Sequence, residues 1–245
     1  MSIADNLADV RARISAACAR CGRDPSAVRL MAVSKTFPAE VIREAYAAGQ
    51  RLFGENRVQE WADKRAALAD LAELEMHLIG HLQSNKTGKA AQIFDAVDSV
   101  DSLKLLDRLN DASKNERLND ATKKKTSGKL RVLIEINVGG EEAKSGVAPD
   151  SEELEQMLSG AAQLLNVEIR GLMTIPPFTD DPEGARPYFH KLRELREAIA
   201  RRKLPRVGMD ELSMGMSHDF EVAIEEGSTC VRVGTAIFGE REKKA

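Results

Sequence analysis

The feature that most constrains the fold is an alternation. Short runs rich in β-branched and apolar residues trade places with longer segments of helical spacing along the whole chain. That order favours parallel strands joined by crossover helices. An opening amphipathic helix is predicted over 3–21, with Ile3, Leu7, Val10 and Ile14 at helical spacing. Eight candidate strands follow: Val28–Lys35, Arg51–Asn56, Glu75–Gly80, Phe94–Val100, Leu130–Val138, Val167–Ile175, Glu211–Gly215 and Cys230–Gly234. Helical patterns fill the intervals at 38–49, 57–72, 84–92, 102–120, 151–165, 182–202 and 217–226. Such a series would close a single (β/α)8 barrel of the TIM type with an extra N-terminal helix, an architecture of about 250 residues. The chain has 245. A doubly wound open sheet is the alternative. No internal repeat or interdomain linker is evident, so residues 1–245 are read as one barrel domain. The one low-complexity patch, Asn119–Lys129, reads as a solvated loop or helix end.

Charge narrows the partners. Thirty-six basic side chains face 39 acidic ones, a formal charge of −3. Neither nucleic acid nor an anionic membrane gains a global handle from this, so any anion must be caught locally. Three cysteines, at 18, 21 and 230, are too few for a disulfide framework. The start lacks the basic flank and apolar run of a signal peptide, and no stretch approaches the roughly 20 apolar residues of a membrane span. A soluble cytoplasmic protein is expected.

Strand alternation points to chemistry. Met31, Val33 and Lys35 share one face of the first strand. If that face lines the barrel, Lys35 sits at the C-terminal rim, where barrel enzymes keep their active sites. Partial desolvation there would lower the amine's pKa and suit it to Schiff-base chemistry. A rim lysine that snorkels to water is the alternative. In the last strand, Val231 and Val233 would face the helices while Cys230, Arg232 and Gly234 point inward. An inward arginine needs a partner, either an ion pair such as Glu135 or a ligand. Gly234 and Thr235 open a short helix with bare N–H groups and a hydroxyl, which suits phosphate. The loop of small residues at 213–217 could form a second wall, after the strands where barrels often bind phosphate.

Other patterns carry less. Gly80–Thr87 (GHLQSNKT) lacks the second glycine of a P-loop. His77 and His81 are four apart, but no carboxylate completes a metal-ligand set in sequence. Cys18 and Cys21 form a C-x-x-C inside a predicted helix, where packing explains them. The third possibility for a barrel lysine is an aldolase-type Schiff base on a sugar phosphate.

Seven segments in register, AVSKT (32–36), FGENRVQE (53–60), HLIGHLQSNK (77–86), KSG (144–146), RGLMTI (170–175), LSMGMS (212–217) and GSTCVRVGTAIFG (227–239), resemble the pyridoxal phosphate homeostasis proteins, the bacterial YggS-like group. The resemblance spans about 28–240; the Lys-rich stretch before the fifth strand looks longer than the family's usual loop. It implies a barrel like the cofactor domain of alanine racemase. Lys35 would form the internal aldimine with pyridoxal phosphate, and Asn56 would lie beside the cofactor. Ser213, backbone around Met214, Gly234 and Thr235 would hold the phosphate, and Arg232 would meet the pyridine nitrogen. A guanidinium cannot take up that nitrogen's proton, so the ring would be a weaker electron sink. Racemase-type relatives add an acid–base residue from a second domain, for which this chain has no room. The resemblance therefore implies a cofactor carrier or regulator, with apo-enzymes as recipients, rather than an efficient amino-acid enzyme. A monomer is expected.

Overall fold

A computed structural model of the chain describes residues 2–116, 128–141 and 145–240. Lys144 and the Lys-rich stretch at 119–127 lie outside the described residues. Eight parallel strands form a closed barrel in chain order: β1 (Arg29–Val33), β2 (Leu52–Glu55), β3 (Glu75–Leu78), β4 (Ala96–Val100), β5 (Leu130–Glu135), β6 (Val167–Met173), β7 (Val207–Met216) and β8 (Cys230–Val233). Closure comes from β8 lying beside β1, with Met31 opposite Arg232. The predicted barrel is therefore the observed one, and the open sheet is not.

Helices wrap the outside: α1 (Ile3–Arg20), α2 (Ala39–Ala47), α3 (Val58–Lys64), α4 (Thr87–Ile93), α5 (Leu103–Glu116), α6 (Glu152–Ser159), α7 (Arg186–Arg201), α8 (Phe220–Glu225) and the short α9 (Thr235–Phe238). None among the described residues is long and apolar enough to cross a membrane. The extra helix α1 starts at a capping box between Ser2 and Asp5. It is tied to the end of the chain, where Asn6 Nδ2 donates to the Ile237 carbonyl at 2.8 Å.

Strand alternation divides the interior in two. Ala32, Phe53, Val231 and Val233 belong to the large core between barrel and helices, whereas Met31, Val33, Leu52, Ile79 and Cys230 form a separate cluster. The second set lies in the lumen. Hydrogen bonds that skip a strand confirm which side is inside: Arg29 of β1 reaches Glu75 of β3 at 2.6 Å, and Arg131 of β5 reaches the same carboxylate. Most strands end a residue or more before their predicted limits. β1 stops at Val33 because the backbone turns at Thr36, whose φ of 72° is left-handed. β7 instead starts at Val207, ahead of the predicted Glu211, across Gly208 and Asp210, whose types disfavour a strand. The predicted helix over 57–72 is α-helical to Lys64 and continues as a 3₁₀ turn at Arg65–Leu68.

Candidate functional site

Parallel strands put all their C-terminal ends at one mouth. Val33 lies opposite Gly54, so Lys35 and Asn56, each two residues further on, leave β1 and β2 side by side. Lys35 is half-buried in the turn after β1. That turn is joined to the end of the chain by Phe37, whose ring lies 5.1 Å from that of Phe238 in α9. Asn56 Oδ1 is buried and accepts no hydrogen bond. The neighbouring Gly80 permits this close fit, since a Cβ there would stand 2.4 Å from the Asn56 carbonyl oxygen.

Arg232 is 4% exposed and points inward, as its alternation in β8 predicts. Its Nη1 donates to Ser213 Oγ and its Nη2 to the Thr174 carbonyl, both at 2.7 Å. The ion pair with Glu135 that the sequence left open is not among its bonds. Burial pulls the guanidinium below its ordinary pKa, and Asp98, Glu135 and Asp219 oppose this from further off. Ser213, expected against a phosphate, is fully buried, and its Oγ accepts from Arg232. The hydroxyl at the β8–α9 turn is that of Ser217, which accepts from the Gly234 N–H at 3.2 Å and the Ala236 N–H at 3.4 Å. Thr235 is exposed beside them. Met214 packs its side chain into the outer core, and its carbonyl accepts from Ser228 Oγ at 2.8 Å.

Sequence reasoning did not single out Ser217 and Thr174, which the structure brings against Gly234, Ala236 and Arg232 at this mouth. Ser217 was within reach, because it ends the loop of small residues already singled out. Thr174 acts through its carbonyl, which no residue type reveals. Glu135, named only as an ion partner, ends β5 at the same mouth. Burial pushes its carboxyl up to about 7; Asp101 adds to this, while Arg232 and His81 oppose it. His77 and His81 diverge: the first lies between Asp98 and Glu75, the second bonds Asp101 at 2.9 Å. Among the described residues no group of three or more potential ligands could hold a metal ion. Cys18, Cys21 and Cys230 are free thiols.

A closed parallel barrel with an inward arginine and a rim lysine at its C-terminal mouth defines the class: a (β/α)8 barrel of the alanine racemase N-terminal type. The family described as "Alanine racemase, N-terminal domain" matches residues 6–242. The chain is 48% identical to the pyridoxal phosphate homeostasis protein of Aquifex aeolicus, over 99% of this chain and 100% of that one. It is 46% identical to the protein of the same name from Escherichia coli K12, over 98% and 97%. The structure of PipY from Synechococcus elongatus PCC7942 with PLP bound superposes with a TM-score of 0.80 at 39% identity, covering 97% of this chain and all of that one. The chain belongs to the family of pyridoxal phosphate homeostasis proteins.

Proposed function

We propose that this chain, as a single barrel domain, binds pyridoxal phosphate as a Schiff base on Lys35 and buffers or delivers it in the cytoplasm, without efficient turnover of amino acids. One observation carries the reading: the inward charge at the mouth that holds Lys35 is a guanidinium, Arg232, fixed by a hydroxyl and a carbonyl. The residues present fit the cofactor. Asn56 offers a buried acceptor without a partner, and the Gly234 and Ala236 amides are held only by the long bonds to Ser217. The amine of Lys35 would bond the aldehyde carbon with loss of one water, a step without oxidation or reduction. Asn56 would lie beside the ring. Ser217, Gly234, Thr235, the Ala236 amide and backbone at Met214 would surround the phosphate, and Ser213 would aim Arg232 at the ring nitrogen.

When bound, pyridoxal phosphate withdraws electrons from a substrate carbon, most strongly when its ring nitrogen is protonated. Arg232 would keep its own proton and donate to that nitrogen, so it could not hold it in the protonated form. The names of the curated relatives support a role in pyridoxal phosphate homeostasis; the recipients would be apo forms of cofactor-dependent enzymes, and the chain would act as a monomer. The test is the visible spectrum of protein mixed with pyridoxal phosphate. Wild type should give a yellow band that borohydride bleaches, and Lys35→Ala should not; a wild type without that band refutes the reading. Transfer to an apo-enzyme no faster than release into buffer would remove delivery from it.

A second reading, a small racemase-like enzyme, is favoured by Glu135, an acid at the mouth that titrates near 7. Exchange of an amino acid's α-hydrogen in deuterated water, abolished by Glu135→Gln, would select it.

A further inference from the structure

If Lys35 is to bond a ligand, the direction in which its side chain leaves the backbone has to be fixed. That direction depends on the two peptide groups flanking its Cα, and both are held from outside the barrel. The Ser34 carbonyl, on the amino side, accepts from Lys64 Nζ at 3.2 Å. The Thr36 N–H, on the carboxyl side, donates to Glu60 Oε1. Lys64 Nζ donates to that same oxygen at 2.7 Å and to Glu55 Oε1 at 2.9 Å, so three acceptors take up all three of its N–H groups. Ser34 Oγ donates to Glu55 Oε1 at 2.8 Å, which closes the network on the residue before Lys35.

Two observations separate this from an ordinary ion pair. Glu55 is fully buried and the Lys64 side chain is 11% exposed, so the network lies between α3 and the barrel rather than in water. A buried pair is weak evidence of stability, because apolar residues of similar volume often serve as well. Here the cation and its carboxylates converge on the two peptides flanking one residue. Thr36, moreover, is β-branched and left-handed, a conformation that persists only where its surroundings over-determine it, and such positions cluster at functional sites.

We infer that Lys64, together with Glu60 and Glu55, is a positioning residue for Lys35: it clamps the peptides on either side and so sets the approach of the amine to its ligand. The inference rests on the reading of Lys35 as the cofactor anchor. It assigns Lys64 no contact with the cofactor.

The test mixes full-length protein with pyridoxal phosphate and follows the rise of the bound band. In Lys64→Met the rate should fall about tenfold or more, the scale of loss that misplacing a reacting group produces. Glu60→Ala removes, at the half-buried edge of the network, the carboxylate that accepts from both the Thr36 N–H and Lys64 Nζ, and leaves the Lys64–Glu55 pair in place. It should slow capture in the same direction and speed hydrogen exchange of the Thr36 amide in the cofactor-free protein, so it carries the test if Lys64→Met does not fold. The decisive control is made without the anchor. Pyridoxal phosphate should bind Lys35→Ala and Lys35→Ala/Lys64→Met non-covalently with affinities within about twofold, since a positioning residue acts only through Lys35. An affinity that falls there as far as the capture rate would make Lys64 merely structural and overturn the inference. Capture at the wild-type rate in both variants would overturn it as well, with the cofactor reading intact. Absence of the band in wild type would instead remove the cofactor reading, and the inference with it.

Discussion

His77 gives the barrel a stability that should fade in mild alkali. It stands on β3 in the lumen, with Nδ1 3.1 Å from Asp98 Oδ2 and Nε2 2.9 Å from Glu75 Oε1. A neutral imidazole can donate to only one of them, whereas the protonated ring donates to both. Burial works against the charge, but Asp98 and Glu75 outweigh it and raise the pKa from 6.5 to about 9. The folded state therefore holds this proton more tightly than the unfolded chain. Its contribution is complete below pH 6.5 and lost as pH rises through 9. A difference of about 2.5 units corresponds to roughly 3 kcal/mol. Glu75 behaves oppositely: burial raises its pKa, but His77, Arg29 and Arg131 hold it well below the usual carboxylate range. Its stabilisation is present above the ordinary carboxylate value and lost in acid. Urea unfolding of wild type and His77→Gln across this range isolates the histidine. With a slope of about 3 kcal/mol per molar urea, the midpoint advantage of wild type should shrink by about 1 M between pH 6.5 and pH values above 9. An advantage that stays constant would mean that His77 is neutral in the folded protein, and the reasoning would fail.

Two further predictions concern backbone fit and the ligand turn. In Gly171→Ala the added Cβ would lie 1.7 Å from the Glu211 carbonyl oxygen, a backbone atom that can yield only if β6 and β7 part, so we expect a loss of about 3 kcal/mol or more; unchanged thermal unfolding would contradict the register of these strands. Ser217→Ala should weaken pyridoxal phosphate binding about fivefold, one hydrogen bond's worth of about 1 kcal/mol, with little change in stability. Ser213→Ala should instead alter the spectrum of the bound cofactor through Arg232, and an identical effect of both variants in an absorbance titration would refute this division of roles.

The barrel was legible because alternation along a strand is a local property. Val231 and Val233 against Cys230 and Arg232 could be assigned to faces from spacing alone, and the structure keeps that division. The strand ends were less legible, because they depend on where the backbone turns. Nothing in the residue type of Thr36 announces a positive φ. Partners across the lumen were least legible. Arg131 meets Glu75 although 56 residues separate them, and closure alone brings β3 and β5 within reach. Arg232 finds a carbonyl after β6 rather than a carboxylate on β5, and carbonyls are equally present at every position of a sequence. His77 was read without a carboxylate and has two, one of them contributed by β4.

The two ends of the lumen differ in how their charges are matched, and that difference bears on what the mouth can bind. Toward the N-terminal end, the odd-numbered strands contribute Arg29, Glu75, Arg131 and Glu211, which alternate in sign. The first three are directly hydrogen-bonded, and Glu211 adds its field to Arg131. The charges of this layer are paired with one another, although Arg131 Nε is buried without a hydrogen-bond partner. Toward the mouth the matching is incomplete. Arg232 donates to a neutral hydroxyl and a neutral carbonyl, its nearest anionic influences act at longer range, and Asn56 retains an unbonded acceptor. A buried cation bonded only to dipoles gains more from an acceptor on a ligand than one already neutralised by a carboxylate. The barrel therefore keeps a buried cation without a bonded carboxylate at the end where its lysine stands, on a base whose own charges are already paired.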